Sequence, residues 1–273
     1  WDKEKTRMNC VRDTIITKLS LKGDFCSPDG EKCFGKLKTL IAGAKEYKKW
    51  RFVGVGGEYF HNSGSTIVQE LAFTLSAGHE YLVRLMNDGT DVDEAAQTIR
   101  FRLAVSANYF MEIAKFRAAR LLWANIVKAY GPKCDCSGKM FTHAVTSKWN
   151  LTAYDPYVNM LRGTTEAMSA SISGVHSLEV LPFDTAFESP TDFSSRIARN
   201  VQLLLKHESH FDNVVDPSGG SYYTENLTGS LAEQAWNLFK EEEAKGGYTA
   251  AFRTGLIPCP VYPSDAPHAD DTG

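Results

Sequence analysis

The feature that most constrains this chain is a recurrence of short β-like runs, each followed by a helical pattern. The runs are residues 51–57 (RFVGVGG), 141–147 (FTHAVTS), 177–182 (SLEVLP) and 213–216 (NVVD). The last three recur with a helix in each interval, which is the rhythm of βα units building a parallel sheet. Four such units make half of a (β/α)8 barrel, a fold that takes about 250 residues for its eight strands. The interval between the first and second runs is too long to leave room for a closed barrel. The expected fold is therefore α/β: the C-terminal half of a (β/α)8 TIM-type barrel, parallel strands with surrounding helices.

The helices carry their own punctuation. Thr66 followed by Gln69 reads as a capping box, with Ile67, Leu71, Leu75, Leu82 and Leu85 continuing an apolar face. A second helical stretch is predicted from Thr90 to Tyr130, stopped by Gly131-Pro132. A third begins at the Asp155 cap with Pro156 in first position and ends at Gly174; a fourth opens at Ser189-Pro190; a fifth runs from Thr228 to Gly246-Gly247. Residues 1–48 form a lysine-rich segment with one helix from about Glu31 to Lys49, residues 49–257 the half barrel, and residues 258–273 a loose tail.

Composition removes several classes of function. With 30 Lys+Arg against 33 Asp+Glu, a formal charge of −3 and 43% hydrophobic residues, the chain is neither an acidic disordered tail nor a basic nucleic-acid binder. No apolar run reaches the ~18 residues of a membrane span. The start at Trp1 has no signal-peptide pattern and reads as a cut edge. Six cysteines (Cys10, Cys26, Cys33, Cys134, Cys136, Cys259) are sparse for a disulfide scaffold. They are read as reduced thiols, which suits a cytoplasmic protein.

Motifs with chemistry are few. Gly54, Gly56 and Gly57 lack the spacing of a dinucleotide fingerprint. His207 and His210 could ligate a metal or simply be a solvated helix end; no third ligand is evident and no metal is expected. The turn Asp216-Pro217-Ser218-Gly219-Gly220-Ser221 could cradle an anion or be a tight turn that needs glycine. His143 and Trp149 flank the end of the second run, where a barrel's active face would lie, although a lone strand histidine is often a core residue.

At these strand ends the sequence resembles the coenzyme-B12-dependent acyl-CoA mutases, above all the methylmalonyl-CoA mutase family. The stretches are residues 62–81 (NSGSTIVQELAFTLSAGHEY), 109–123 (YFMEIAKFRAARLLW), 142–162 (THAVTSKWNLTAYDPYVNMLR), 181–187 (LPFDTAF) and 196–225 (RIARNVQLLLKHESHFDNVVDPSGGSYYTE). The combination RIARN…DPxGGS is specific to that family. The resemblance implies a barrel that houses acyl-CoA along its axis, with adenosylcobalamin delivered to its open face by a separate domain. No counterpart of that domain's DxHxxG motif occurs here.

The departures from the family pattern are as informative as the matches. Tyr59 stands at the position of the family histidine that contacts the thioester carbonyl, and His61 lies two residues on. Asn62 replaces a glutamate. The family's HxQTSGW reads His143-Ala144-Val145-Thr146-Ser147-Lys148-Trp149, with Val145 for glutamine and Lys148 for glycine. FDEA reads Phe183-Asp184-Thr185-Ala186, with Thr185 for the glutamate that meets the adenosyl sugar. His143, Trp149 and Ala186 are retained active-face positions, expected to face the cofactor. The pattern is similar to the small, non-catalytic subunit of heterodimeric methylmalonyl-CoA mutases, with a catalytic large subunit as partner and the cofactor bound by that partner. Two other readings stay open: a catalytic acyl-CoA mutase of altered substrate preference using Tyr59 or His61, and a non-enzymatic scaffold.

Overall fold

The computed structural model describes residues 15–16, 31–43 and 51–257. The elements are α1 (Glu31–Gly43), β1 (Val53–Gly56), α2 (Glu58–Asn62), α3 (Ile67–Asn87), α4 (Val92–Thr98), β2 (Ile99–Val105), α5 (Tyr109–Lys128), β3 (Thr142–Thr146), α6 (Val158–Ile172), β4 (Ser177–Glu179), α7 (Asp192–His207), α8 (Tyr222–Ala244) and α9 (Tyr248–Arg253). Among the described residues the sheet has four strands in the order β1-β2-β3-β4. Every pairing is parallel, with Val53 opposite Ile99, Arg102 opposite His143, and His143 opposite Ser177. Parallel neighbours need a crossover, and helices supply it in each interval. Most of the lysine-rich segment and the whole of the 258–273 tail lie outside the described residues, as do the last residues of the helix expected to reach Lys49.

Two sequence expectations are corrected. The stretch from Thr90 to Tyr130 is not one helix: β2 interrupts it. Residues 99–105 (IRFRLAV) alternate, with Ile99, Phe101, Leu103 and Val105 in the core among the helices. Arg100, Arg102 and Ala104 occupy the alternate positions and face the other way. The run 213–216 is not a strand. Val214 and Val215 follow a 3-10 turn at Phe211–Asn213, and Val215 is 95% exposed. Asp216 has a φ of 47°, so the chain turns where a strand would run on.

Helix boundaries follow local chemistry more closely. The Thr66 capping box forms, with the Thr66 amide donating to Gln69 Oε1 (2.9 Å) and the Gln69 amide to Thr66 Oγ1 (3.3 Å). Asp155 does not cap α6. It takes a φ of 50°, and the helix begins at Val158. The fourth helix is capped by Thr191, beyond Ser189-Pro190, and α8 starts at Tyr222 ahead of Thr228. Cys134 and Cys136, expected as reduced thiols, are joined in a disulfide. No helix among the described residues is long and apolar enough to cross a membrane.

α8 lies across α3 and α5 and brings an unusual group into the core. Glu242 is fully buried, and neither of its carboxylate oxygens has a hydrogen-bond partner. Its neighbour Glu243 accepts from His79 Nδ1 of α3 at 3.0 Å. Burial pushes the Glu242 carboxyl up to about 8 from an ordinary 4.5. The folded state therefore holds this proton more tightly than the unfolded chain does. Its contribution to stability is full below pH 4.5 and is lost as pH rises towards 8. Glu242→Gln should raise stability by about 1–3 kcal/mol above pH 8 and change it little at pH 4.5. Urea unfolding of both proteins at the two pH values tests this. An equal effect at both would mean the carboxyl does not titrate in the fold.

Candidate functional site

The C-terminal ends of β1, β2 and β3 converge on a cleft of about 310 Å3. Its lining includes His61 after β1, Ser106 and Asn108 after β2, and Trp149 and Asn150 after β3, closed by residues 64–67 at the start of α3. Gly57 lets the chain after β1 pack closely on α3: a Cβ there would lie 2.2 Å from Thr74 Oγ1. The Trp149 ring covers Gly64, which has a φ of 91°.

Beneath the cleft sits a buried ionic cluster. Lys115 of α5, with no exposed side-chain surface, lies 2.7 Å from Glu70 of α3 and 2.6 Å from Glu112 one turn away. Its ammonium also donates to the Ala104 carbonyl (2.7 Å), while the Ala104 amide donates to Glu70 Oε1 (2.8 Å). Ser106 donates to Glu112 at 2.6 Å. Burial acts to lower the Lys115 pKa, but Glu112 and Glu70 outweigh it and the pKa is raised. The cluster is thus an ammonium held between two carboxyl groups.

A second set of bonds joins the strand ends to one another. His61 Nε2 and Ser147 Oγ are 2.8 Å apart, and His61 Nδ1 lies 3.9 Å from Glu70. Burial holds His61 below the ordinary imidazole range, against the pull of Glu70. The Ser147 amide donates to Glu166 (3.1 Å), whose other oxygen accepts from Asn150 (2.9 Å). Burial pushes Glu166 up to about 7 despite both bonds. The Lys148 amide donates to Asn62 Oδ1 at 2.9 Å.

The residues expected from sequence divide into four groups. His61, Asn62, Lys148 and Trp149 meet at this rim, with Trp149 57% exposed. Tyr59 is half-buried and packs against the core, while Val145 is buried within β3. His143 is not at a strand end. It is the second residue of β3, on the sheet face carrying Arg102, with Nδ1 2.8 Å from Ser177 Oγ and Nε2 3.4 Å from Glu179. Thr185 and Ala186 lie in the loop after β4, outside this cleft; the Thr185 hydroxyl donates to the Pro182 carbonyl at 2.7 Å.

Sequence reasoning missed Glu70, Lys115, Glu112, Ser147 and Glu166. Glu112 and Lys115 have the spacing of an ordinary surface pair, and only the fold buries them. His207 and His210 are both exposed, and no group of three or more metal-ligating side chains occurs among the described residues. The glycine turn binds its own chain: the Gly220 amide donates to Glu225 at 3.0 Å, and Arg117 spans Glu225 (2.8 Å) and Asp216 (3.4 Å).

The methylmalonyl-CoA mutase family profile matches residues 9–266. The chain belongs to that family. It is 49% identical over 80% of its length to a methylmalonyl-CoA mutase small subunit of Porphyromonas gingivalis, of which it covers 35%. It is 48% identical over 90% of its length to a methylmalonyl-CoA mutase of Rhizobium meliloti, again covering 35%. The large subunit from Porphyromonas gingivalis is 44% identical over 80% of the chain and 31% covered. The chain therefore spans about a third of the relatives it matches. Identities this close do not by themselves separate a small from a large subunit.

Lys115→Met would leave two buried carboxylates uncompensated and should cost about 3–5 kcal/mol of stability. Combining it with Glu70→Gln and Glu112→Gln should recover part of that loss. Denaturant unfolding of the single and triple variants checks both statements; a single variant within about 1 kcal/mol of the parent would mean the cluster is not a coupled unit.

Proposed function

We propose that this chain is part of the small, non-catalytic subunit of a methylmalonyl-CoA mutase, the isomerase interconverting methylmalonyl-CoA and succinyl-CoA. In this reading it supports a catalytic large subunit as a cytoplasmic heterodimer. Residues 49–257 are the C-terminal half of a (β/α)8 barrel, between the lysine-rich segment 1–48 and the loose tail 258–273. Four parallel strands in sequential order support the half barrel, because successive βα units of such a barrel add each strand beside the one before.

The observation that carries the non-catalytic reading is the sheet face opposite the helices. In a closed barrel this face looks onto the axis, where the family houses acyl-CoA. Here Arg102 lies between Glu58 (2.9 Å) and Glu179 (3.5 Å), and His143 lies on the same Glu179 at 3.4 Å. Arg100 is buried two residues below. Long side chains held in ion pairs along this face would leave little space for a pantetheine arm.

The positions that depart from the family pattern also do not fit adenosylcobalamin. A nucleoside sugar needs polar groups aimed at it, and a corrin needs a clear, flat approach. Val145 is apolar and buried, the Thr185 hydroxyl is engaged by Pro182, and Asn62 Oδ1 by the Lys148 amide. Lys148, where the family has glycine, is exposed on the face the corrin would approach. The cofactor of the holoenzyme accordingly belongs to the partner chain.

One observation favours a second reading, a catalytic mutase of altered substrate preference. His61 lines the cleft, whereas Tyr59 packs against the core, so His61 is the better candidate to meet a thioester carbonyl. The two readings separate in one experiment on the full-length polypeptide without its partner. Adenosylcobalamin should give no spectral shift at micromolar protein, and methylmalonyl-CoA should not turn over. Turnover on the order of 1 s⁻¹ would put the catalytic reading first. Expressed alone, residues 1–273 should self-associate through their open strand edges. A clean monomer with a sharp two-state melt would count against the half barrel.

A further inference from the structure

The turn between α5 and β3 carries chemistry unrelated to the cleft. It precedes β3, so it lies at the N-terminal end of the sheet, opposite the strand ends that form the cleft. Cys134 and Cys136 are both exposed there and bonded to each other, with one residue between them.

The protein holds this turn by other means. Asp93 of α4 accepts from the Lys133 amide (3.0 Å), the Cys134 amide (3.3 Å) and the Ser137 hydroxyl (2.5 Å). Lys133 Nζ meets Asp91 at 2.5 Å, and Ser137 is buried beneath the turn. A disulfide that closes so short a loop removes little freedom from the unfolded chain, so it adds little to the stability of a turn already pinned from both sides. Exposed disulfides of this kind are the labile ones. The two sulfurs also differ: the Cys136 amide donates to Cys134 Sγ at 3.2 Å. A hydrogen bond to sulfur favours the thiolate, which makes Cys134 the better leaving group.

We propose that Cys134 and Cys136 form a reversible dithiol–disulfide couple that exchanges with low-molecular-weight thiols, of which glutathione is the test case. A glutathione thiolate attacks Cys136 Sγ, the Cys134–Cys136 bond breaks, and the electron pair leaves on Cys134 as thiolate. A second glutathione thiolate attacks the glutathione sulfur of the mixed disulfide and releases Cys136. Two glutathione thiols are oxidised to one glutathione disulfide, and the protein disulfide is reduced to two thiols that take up the two protons. Oxidised glutathione drives the same steps backwards. Asp93 keeps the turn in place through the cycle, so the two sulfurs remain paired for re-oxidation.

The test equilibrates the protein with excess reduced or excess oxidised glutathione, quenches with acid, alkylates free thiols and maps the tryptic peptide 134–139 (CDCSGK) by mass. The peptide should be doubly alkylated after reduced glutathione and a closed disulfide after oxidised glutathione. With oxidised glutathione, Cys134→Ser should still carry an adduct on Cys136, and the unfolding midpoints of the oxidised and reduced parent should agree. A peptide that stays closed in excess reduced glutathione, or open in excess oxidised glutathione, overturns the proposal. So does a midpoint that falls by more than about 5 °C on reduction, which would make the disulfide a structural staple.

Discussion

The structure depends on one buried ammonium. β1 ends at Gly56 opposite Arg102, and the chain turns away into α2, so Ala104 has no strand partner on that side. Its amide and carbonyl would be orphaned in the core, at a cost comparable to two lost hydrogen bonds. Glu70 and Lys115 replace the missing strand: one carboxylate oxygen takes the Ala104 amide, and the ammonium takes its carbonyl. Side chains from α3 and α5 thus extend the ladder beyond the end of β1. Burying these charges costs several kcal/mol per ion, and only a geometry in which every partner is in contact offsets it. That requirement fixes α3 and α5 against β2, and with them the floor of the cleft.

How much of this was legible in the sequence depends on whether a signal is local. The Thr66 cap, the Gly131 stop and the β1, β3 and β4 runs are written in adjacent residues, and each forms where expected, with small shifts at the ends. β2 was hidden although its alternation is regular, because α4 runs into it without a glycine or proline and a strong helix follows at Tyr109. The 213–216 run failed in the opposite way: two adjacent valines resemble a strand, but they follow a 3-10 turn and stay exposed. The ionic cluster was illegible because Glu70 and Lys115 are 45 positions apart. Only the packing of two helices on one strand brings them together.

The same distinction separates the two faces of the strands. Residues that β2 turns towards the helices are uniformly apolar, while Arg100 and Arg102 on the other face are charged. An arginine at a buried strand position is costly unless it is paired. Arg102, half-buried, is paired with Glu58 of α2 and Glu179 of β4, so two strands and a helix contribute to one ion group, while the buried Arg100 keeps its Nε without a hydrogen-bond partner. His143 joins it from β3 through Glu179. The sheet is therefore tied together on its open face by charge and on its covered face by apolar packing.

This arrangement bears on how a family scaffold could serve without a ligand. A site shaped for a polar ligand leaves donors and acceptors aimed into the space the ligand fills, and emptying it exposes them to water or strands them in the interior. Around this cleft most of those groups are answered from within: Ser147 by His61, the Ser147 amide by Glu166, and Asn62 by the Lys148 amide. On the open face Arg102 is answered by two carboxylates. Not every group is answered: among the described residues, Arg100 Nε on β2 and His61 Nδ1 in the cleft are buried without a hydrogen-bond partner. In the proposed reading the subunit keeps the barrel because most polar groups around the cleft are paired within the chain. On that reading Arg102 and His143, which tie the open face together, also stand where the acyl-CoA of a catalytic relative would lie.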